Sequence, residues 1–438
     1  MLKSFKISKG HNLSLVGNPK QNIVNIDASD ELLLHPNTID GIKTKLLVKE
    51  GDNVKVGTPL YCDKKNSDVF FVSTCSGKIK NIQFGPRRVV ESISIGNDKQ
   101  YTSEALDNNI SRKSLIKSGL WTYIRQRPFS KIPSIDVSPK SIFISTFSTQ
   151  PFAIDYNFLF ANTDNYLQKG INALKEIFNC DIILSNSKKS IFNNLKNVKH
   201  YTFNNLHPSG NVGVQIHHID PIKNSEDVRL YLSIQDLNRI GQFYSNKEYP
   251  IYKYISAGGS ALNKPSYYKQ IIGTPISDII KNDYDNNSAI ISGDVLSGKK
   301  TEYENSLNYF DEILSIIKIS KNREFLGWLK PGFNKYSLSN AFLSKFKSNK
   351  YKYSIDTKIN GSVRSIIPMG NWDRYLPMNI LSEFLVKSIL VEDIEMMEKL
   401  GIYECAPEDF ALCTFACQSK VEVSSIIKDG LKMMEKEV

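Results

Sequence analysis

The sequence predicts a multidomain α/β protein, and three observations carry that reading. Its 438 residues exceed one ordinary core, and a prior of about 150 residues per domain gives about three domains. Between residues 140 and 243, short apolar runs alternate with amphipathic stretches, the pattern of strands joined by helices into a parallel sheet. The texture on either side differs: turn-rich strand signals come before it, paired strand runs follow Tyr249, and helical signals dominate beyond residue 360. The resulting division is 1–110, a β-rich domain; 111–248, a Rossmann-like α/β domain entered through a basic bridge; 249–330, a small mixed unit; and 331–438, mostly helical.

Residues 1–40 read as short strands broken by Gly10, Gly17-Asn18-Pro19 and His35-Pro36. Residues 45–61 read as strand, turn, strand, with Gly51 and Gly57 serving the turns. Val48, Val54, Leu60 and Ile79 alternate toward a core. Further strands follow at 69–73 and 77–82. This V-x-E-G-D-x-V-x-x-G-x-x-L stretch, followed by S-G-x-I-x-x-I, resembles the lipoyl/biotinyl-type barrel-sandwich domain. In carriers of that type the hairpin tip holds the modified lysine, and here the tip is Asp63-Lys64-Lys65-Asn66. The methionines that flank a biotinyl lysine are absent, so the alternatives are a lipoyl-type carrier on Lys64 and a barrel that only packs.

Residues 111–118 read as a helix stopped by Gly119, and residues 140–147 as a strand apolar enough for burial on both faces. Residues 164–178 form an amphipathic helix with Tyr166, Ile171, Leu174 and Phe178 on one side. Residues 181–185 read as another buried strand and 188–195 as a helix. The stretch 207–222 holds three of the six histidines. Pro208, Ser209, Gly210, Asn211 and Gly213 form a turn, and residues 212–219 are expected to be extended until Asp220-Pro221. On a strand His217 and His218 point to opposite faces and do not share a metal. The turn lacks G-x-G-x-x-G spacing and a Walker lysine, which leaves an anion held on backbone N–H groups or a loop docking on another domain. Residues 231–243 supply a later helix. After Tyr249, strand runs at 252–256 and 267–272, a helix started by Thr274-Pro275 and a strand at 289–293 form a β-grasp unit. Helices are expected at 378–391, 393–400, 408–416 and 421–435.

Apolar residues make 41% and charged residues 23% of the chain, ample for sizeable cores and against global disorder. There is no signal-peptide h-region and no uncharged apolar run of about 18 residues. A soluble chain is therefore expected, cytoplasmic unless partners hold it at a membrane. The net charge of +11 is uneven. Residues 112–140 carry Arg112, Lys113, Lys117, Arg125, Arg127, Lys131 and Lys140 against Asp136. Residues 392–409 carry Glu392, Asp393, Glu395, Glu398, Glu404, Glu408 and Asp409 against Lys399. Such a balance admits an acidic partner or anionic lipid, or charges paired across domains. No nucleic-acid motif accompanies it. The cysteines (Cys62, Cys75, Cys180, Cys405, Cys413, Cys417) are sparse, lack a C-x-x-C pair and read as core thiols rather than cluster ligands.

The segments 47–52, 63–66, 127–133, 215–221, 292–298, 327–332 and 411–417, taken in order, resemble the A-subunit family of the bacterial Na+-translocating NADH:quinone reductase (Na+-NQR), nearly end to end. The resemblance implies a barrel-sandwich N-terminal domain, a Rossmann-like domain, a β-grasp (SLBB) domain and a helical C-terminal domain. It also implies kinship with the flavin-binding subunit of respiratory complex I, whose C-terminal cluster cysteines Cys413 and Cys417 do not reproduce. The function implied is that of a peripheral subunit of a redox-driven sodium pump at the cytoplasmic face of the bacterial inner membrane. Its partners would be the membrane subunits and ubiquinone, and it would contribute to assembly and the quinone-reduction step. No cofactor or metal is assigned to this chain; NADH, flavins and iron–sulfur centres would act through other subunits. Quinone carbonyls need an apolar slot with one or two donors, for which His217, His218, Arg127 and Trp372 are the candidates. Arg125, Arg127 and Lys131 are candidates for docking on lipid or an acidic partner. The alternatives are a flavin-binding, NADH-oxidising subunit of the complex I type and the lipoyl-type carrier. A flavin phosphate would need a glycine-rich turn at a helix N-terminus, and the turn at 207–213 is expected to lead into a strand.

Overall fold

The computed structural model describes residues 3–437 apart from 108, 162, 163, 321–324, 328 and 349; Trp328, one of the residues in the family-like segments, lies outside them. The chain begins with β1 (Lys3–Phe5) and β2 (Ile23–Asn25) and then builds two small sheets. Strands β3 (Glu31–Leu34), β4 (Thr44–Leu46), β5 (Asn53–Val54), β6 (Pro59–Asp63), β7 (Asn66–Val72), β8 (Gly77–Phe84) and β9 (Val90–Asn97) pair in the orders β3-β9-β8-β5 and β4-β6-β7. Val48, Val54, Leu60 and Ile79 are buried between them, as the alternation requires. Lys64 and Lys65 sit at the tip of the β6–β7 hairpin, where Asp63 pairs with Asn66.

The second domain opens with α1 (Arg112–Lys117), capped by the Ser111 hydroxyl, which accepts from Ser114 N. Then come β10 (Arg125–Arg127), β11 (Ser141–Ser145), the short α2 (Tyr156–Leu159), α3 (Asp164–Phe178), β12 (Asp181–Ser187), β13 (Lys199–Phe203), α4 (Val212–Ile219), β14 (Arg229–Ser233) and α5 (Ile234–Asn246). The sheet order is β1-β13-β12-β11-β14-β10, with β10 antiparallel and every other pairing parallel. Both faces of its strands are apolar because both are covered. Ile142, Ile144, Ile182, Leu184, Leu230 and Leu232 pack in one core with α3, α5 and the N-terminal domain. The alternate positions Phe143, Ile183 and Tyr231 pack in a second core with α4 and the C-terminal helices.

Three expectations in this region are corrected. Residues 188–195 hold only a 3-10 turn at Phe192–Asn194. The helix expected at 231–243 begins later, because residues 229–233 are strand β14 and Ser233 is the cap of α5. Residues 212–219 are helix α4, not a strand. Val212, Val214 and Ile216 alternate as on a strand, but once the turn of α4 is formed Val214 and Ile216 are buried in the core shared with the C-terminal helices. Tertiary burial there outweighs the weak helix propensity of Val and Gly.

The third domain contains β15 (Tyr252–Gly258), β16 (Ser266–Ile271), α6 (Ile276–Ile280), β17 (Ser288–Ser292), β18 (Lys299–Thr301) and β19 (Ile313–Lys318). Its sheet runs β18-β17-β19-β15-β16-β2. The first strands of the chain therefore leave the N-terminal domain: β1 extends the second domain's sheet and β2 the third's. Pro275, not Thr274, is the cap of α6, and the Thr274 hydroxyl donates to Ile271 O. After β19 the chain runs to residue 371 with one 3-10 turn at Leu343–Phe346 among its described residues. It then forms α7 (Ser382–Leu390), α8 (Ile394–Lys399), α9 (Ala411–Ala416) and α10 (Val423–Glu437). No helix among the described residues is long and apolar enough to cross a membrane.

Helices α3 and α5 meet through glycines. A Cβ at Gly241 would lie 1.8 Å from Tyr166 O, and one at Gly170 would lie 2.5 Å from Leu237 O. Both neighbours are backbone and cannot swing aside. Gly241→Ala is expected to force the helices apart and destabilise the chain by about 3 kcal/mol or more. An exposed glycine-to-alanine change in a helix would not do this. Urea unfolding followed by circular dichroism measures the difference.

Candidate functional site

A cleft of about 700 Å³ opens at the carboxyl ends of β11 and β14, where Ser145 and Ser233 form part of its floor. The winding of the sheet reverses between these strands: after β11 the chain adds β12 and β13 on one side, then returns through α4 to place β14 on the other. Such a switch point leaves a crevice that no connection fills. All four parts of the chain close it: Asp40 and Gly41, then Phe129 and Tyr231, then Asp294 and Phe310, and finally Glu408 and Leu431.

The turn at 207–213 stands at the edge of this cleft. Asn211 N donates to Pro208 O at 2.8 Å and Gly210 N to Thr149 Oγ1 at 3.1 Å. His207 is buried and driven down to about 4 by desolvation, so its ring is neutral; Nδ1 is 3.1 Å from the Thr149 hydroxyl. The turn ends at Asn211, the cap residue of α4, whose extended backbone (φ −74°, ψ 134°) starts the helix without a side-chain cap bond. Asn211 and Val212 line the cleft. The ground on which the sequence set this turn aside as a phosphate seat, that it leads into a strand, therefore does not hold.

Beneath it lies a buried ion cluster. Arg127 Nη2 donates to Glu408 Oε1 at 2.7 Å and Nη1 to Asp409 Oδ2 at 3.3 Å; the side chains of Arg127 and Asp409 have no solvent exposure. Asn211 Nδ2 donates to Asp409 Oδ1 at 3.2 Å and to Glu408 O at 3.1 Å. A Cβ at Gly213 would lie 2.1 Å from Asp409 Oδ2, so only glycine lets the carboxylate reach the first turn of α4. Desolvation pushes the Asp409 carboxyl up to about 6; Arg127 opposes this and the Glu408 charge adds to it.

The four quinone candidates lie along the seam between the α/β sheet and the C-terminal domain, each with its own partners, and none of them lines the cleft. His217 Nδ1 is 2.6 Å from Glu404 Oε2, and its Nε2 accepts from Asn379 N at 2.9 Å, which assigns the ring proton to Nδ1. His218 Nε2 donates to Pro377 O at 2.9 Å. Trp372 is buried in the C-terminal core. Of the docking candidates, Arg127 has no surface to offer, Lys131 pairs with Glu435 at 2.6 Å, and Arg125 faces the cleft. The basic bridge and the acidic C-terminal stretch thus pair with each other, through Arg127, Glu408 and Asp409. Sequence reading missed Tyr231 and the role of Asp409. The available signal was the i, i+2 spacing of Arg125 and Arg127, which puts both on one face of a strand; both guanidinium groups lie over the Tyr231 ring, at 4.6 and 5.5 Å. Cys405, Cys413 and Cys417 are buried, and burial raises the Cys405 and Cys413 thiols. No group of residues suited to a metal ion occurs among the described residues.

Asp409 yields a pH test. Its folded value near 6 exceeds the unfolded value near 3.9, so this carboxyl's contribution is present below pH 4 and is lost as pH rises through 6. Asp409→Asn removes that titration. The variant should gain stability relative to the parent between pH 4 and 7, by roughly 1–3 kcal/mol, measured as the difference in urea midpoints across that range.

Three family models match the chain. The NqrA N-terminal barrel-sandwich hybrid domain covers residues 5–98, the NqrA second alpha/beta domain residues 106–249 and the NQRA C-terminal domain, of SLBB type, residues 254–303. The A-subunit of the Na(+)-translocating NADH-quinone reductase of Neisseria meningitidis serogroup B is 34% identical, over 99% of this chain and 100% of its own. That of Pasteurella multocida is 32% identical over 98% and 99%, and that of Rhodopirellula baltica 31% over 99% and 98%. A solved NAD+-reducing NiFe hydrogenase in the H2-reduced state is similar at a TM-score of 0.35, with 9% identity over 47% of each chain, too low to carry an argument.

Proposed function

Because the chain belongs to the NqrA family, we propose that it is the peripheral A-subunit of a Na+-translocating NADH:quinone reductase, serving assembly and the quinone-reduction step. It sits at the cytoplasmic face, and NADH, flavins and iron–sulfur centres act through other subunits. The observation that supports docking is the segment between β19 and α7. Most of the large exposed apolar side chains among the described residues fall between residues 325 and 396. Phe346 is 75% and Val363 76% exposed, and Leu381, Phe384 and Val391 of the α7 region are exposed as well. Within the same stretch, residues 343–364 are basic, with Lys345, Lys347, Lys350, Lys352, Lys358 and Arg364 against Asp356. An apolar, basic surface on a chain without a spanning helix among its described residues suits membrane-embedded partners flanked by anionic headgroups.

In this reading His217, His218, Arg127 and Trp372 serve the quinone step by position. They hold the C-terminal domain, and with it the docking segment, on the α/β sheet. Loss of this chain removes a wall of the quinone site while leaving hydride transfer elsewhere in the complex intact.

The test combines Phe346→Ser with Val363→Ser. Both side chains are exposed, so the isolated chain should keep its stability to within about 0.5 kcal/mol of the parent. Co-purification with the membrane subunits should be lost. Membranes carrying the variant should still oxidise NADH with an artificial one-electron acceptor while quinone reduction falls sharply. Normal assembly of the double variant would refute the docking assignment, and equal loss of both activities in an assembled complex would refute the placement in electron flow.

A further inference from the structure

The carboxylates around the switch-point cleft are mostly held by their own partners. Glu312 accepts from the Tyr156 hydroxyl, Asp294 from Leu296 N and Ser297 N, and Asp311 from Ser292 Oγ and Asn308 Nδ2. Glu408 is taken by Arg127 and Glu435 by Lys131. Arg125 is different. Its guanidinium packs on two rings, 4.6 Å from the centroid of Tyr231 and 4.7 Å from that of Phe310. Neither an ion pair nor a hydrogen bond engages it among the described residues, and its Nε is buried without a partner. Ring contacts of this kind use the face of a guanidinium and leave its N–H edge for hydrogen bonding, and that edge is the part that binds an oxyanion in bidentate fashion.

A second observation points into the same space. The Tyr231 hydroxyl is buried, with the residue 3% exposed, and Tyr231 lines the cleft. The Arg127 guanidinium is its hydrogen-bonding neighbour, although the alignment is poor and leaves the phenol oxygen without a well-formed bond. A third is α4, an eight-residue helix whose cap makes no side-chain bond and whose first residue, Val212, also lines the cleft. The first-turn N–H groups of a helix lack intrahelical acceptors and carry partial positive charge. The Asp409 carboxylate beside the first turn of α4 is itself held by Arg127 and Asn211, so the unpaired Arg125 guanidinium and the helix N-terminus without a side-chain cap share one chemistry on this cleft, the recognition of an anion. Another part of the wall, with Phe129, Phe147, Ile154 and Leu232, is apolar, and the volume suits a small organic molecule.

We propose that this cleft binds a small organic phosphate, with the phosphate on the Arg125 edge and the α4 amides and the organic body against the apolar wall. Phosphate rather than carboxylate is chosen because donors come from two separate elements, the Arg125 edge and the first turn of α4: a monoester offers three acceptor oxygens where a carboxylate offers two. The assignment does not depend on the chain's place in electron flow.

Isothermal titration of the full chain with phenyl phosphate, inorganic phosphate and benzoate tests it, beside two variants whose melting is checked first. Arg125→Gln removes the charge and the fork. Val212→Pro removes one helix-terminal N–H at the first helical position, where proline fits and where the extended Asn211 backbone already suits a following proline. The parent should bind phenyl phosphate saturably and more tightly than either inorganic phosphate or benzoate. Binding should weaken about tenfold or more in Arg125→Gln and about threefold in Val212→Pro. Saturable binding that Arg125→Gln leaves unchanged would overturn the proposal, as would no binding by the parent up to about 10 mM. Benzoate binding as tightly as phenyl phosphate would overturn the phosphate assignment. If Arg125→Gln does not fold, Val212→Pro decides alone, and unchanged affinity there counts against the site.

Discussion

Two arginines face each other across the β10–β14 pair. Arg127 is registered opposite Arg229, and both side chains are shut off from water. Like charges directly opposite in a sheet repel, and a buried guanidinium without a counterion is among the most costly features a fold can contain. The pair is tolerable only because each arginine has its own carboxylates. Arg229 takes Asp220 and Asp227 from the loop that leads into its strand, each at 2.7 Å. Arg127 has no such local supply and takes Glu408 and Asp409 from the C-terminal domain. The edge of the α/β sheet is therefore electrostatically complete only when the last domain is in place.

That dependence explains how the rest is arranged. A parallel sheet needs cover on both faces, and here helices α3 and α5 supply one cover while the C-terminal helices share the other with α4. The histidines at the end of α4 tie the same seam, with His217 bridging Glu404 and the Asn379 amide. Because the second cover comes from a separate domain, the sheet's carboxyl ends are roofed by parts that are distant in sequence. The cleft is what remains between them. Part of its wall, with Phe147, Ile154, Tyr231, Leu232 and Leu431, belongs to the packed cores, which holds that part in place before any ligand arrives.

How much of this could be read from the sequence varied with how local its cause was. Strand β11 was legible because Ile142, Phe143 and Ile144 form a short run with no polar face, and α3 because its apolar residues recur at helical spacing. The two β-rich units were legible from glycine turns and alternation. Helix α4 was not: Gly213 and the β-branched Val212, Val214 and Ile216 argue locally for an extended chain, and the deciding contacts lie far along the chain in Asp409 and the C-terminal core. The histidines drew attention because they are rare, yet their partners are acidic and backbone groups of another domain. The cleft itself was invisible, since Arg125, Tyr231, Val212 and Phe310 come together only through strand register and domain packing. What the sequence did show was charge imbalance between residues 112–140 and 392–409, the imprint of a contact whose location it could not specify.

The first two strands bear on how such a chain can be made. Strand β1 lies parallel to β13, with Lys3 opposite Tyr201, and β2 lies parallel to β16, with Ile23 opposite Tyr267. During synthesis these residues leave the ribosome well before their partners and must wait, unpaired, until Tyr201 and then Tyr267 have emerged. Loop closure of that length is slow, and the open strand edges meanwhile invite wrong partners. The N-terminal domain, with its two sheets complete by Asn97, is free to fold early and to hold the ends of β1 and β2 near the growing chain. Native topology here sets an order of assembly in which β1 and β2, though made before the N-terminal domain, are fitted after it.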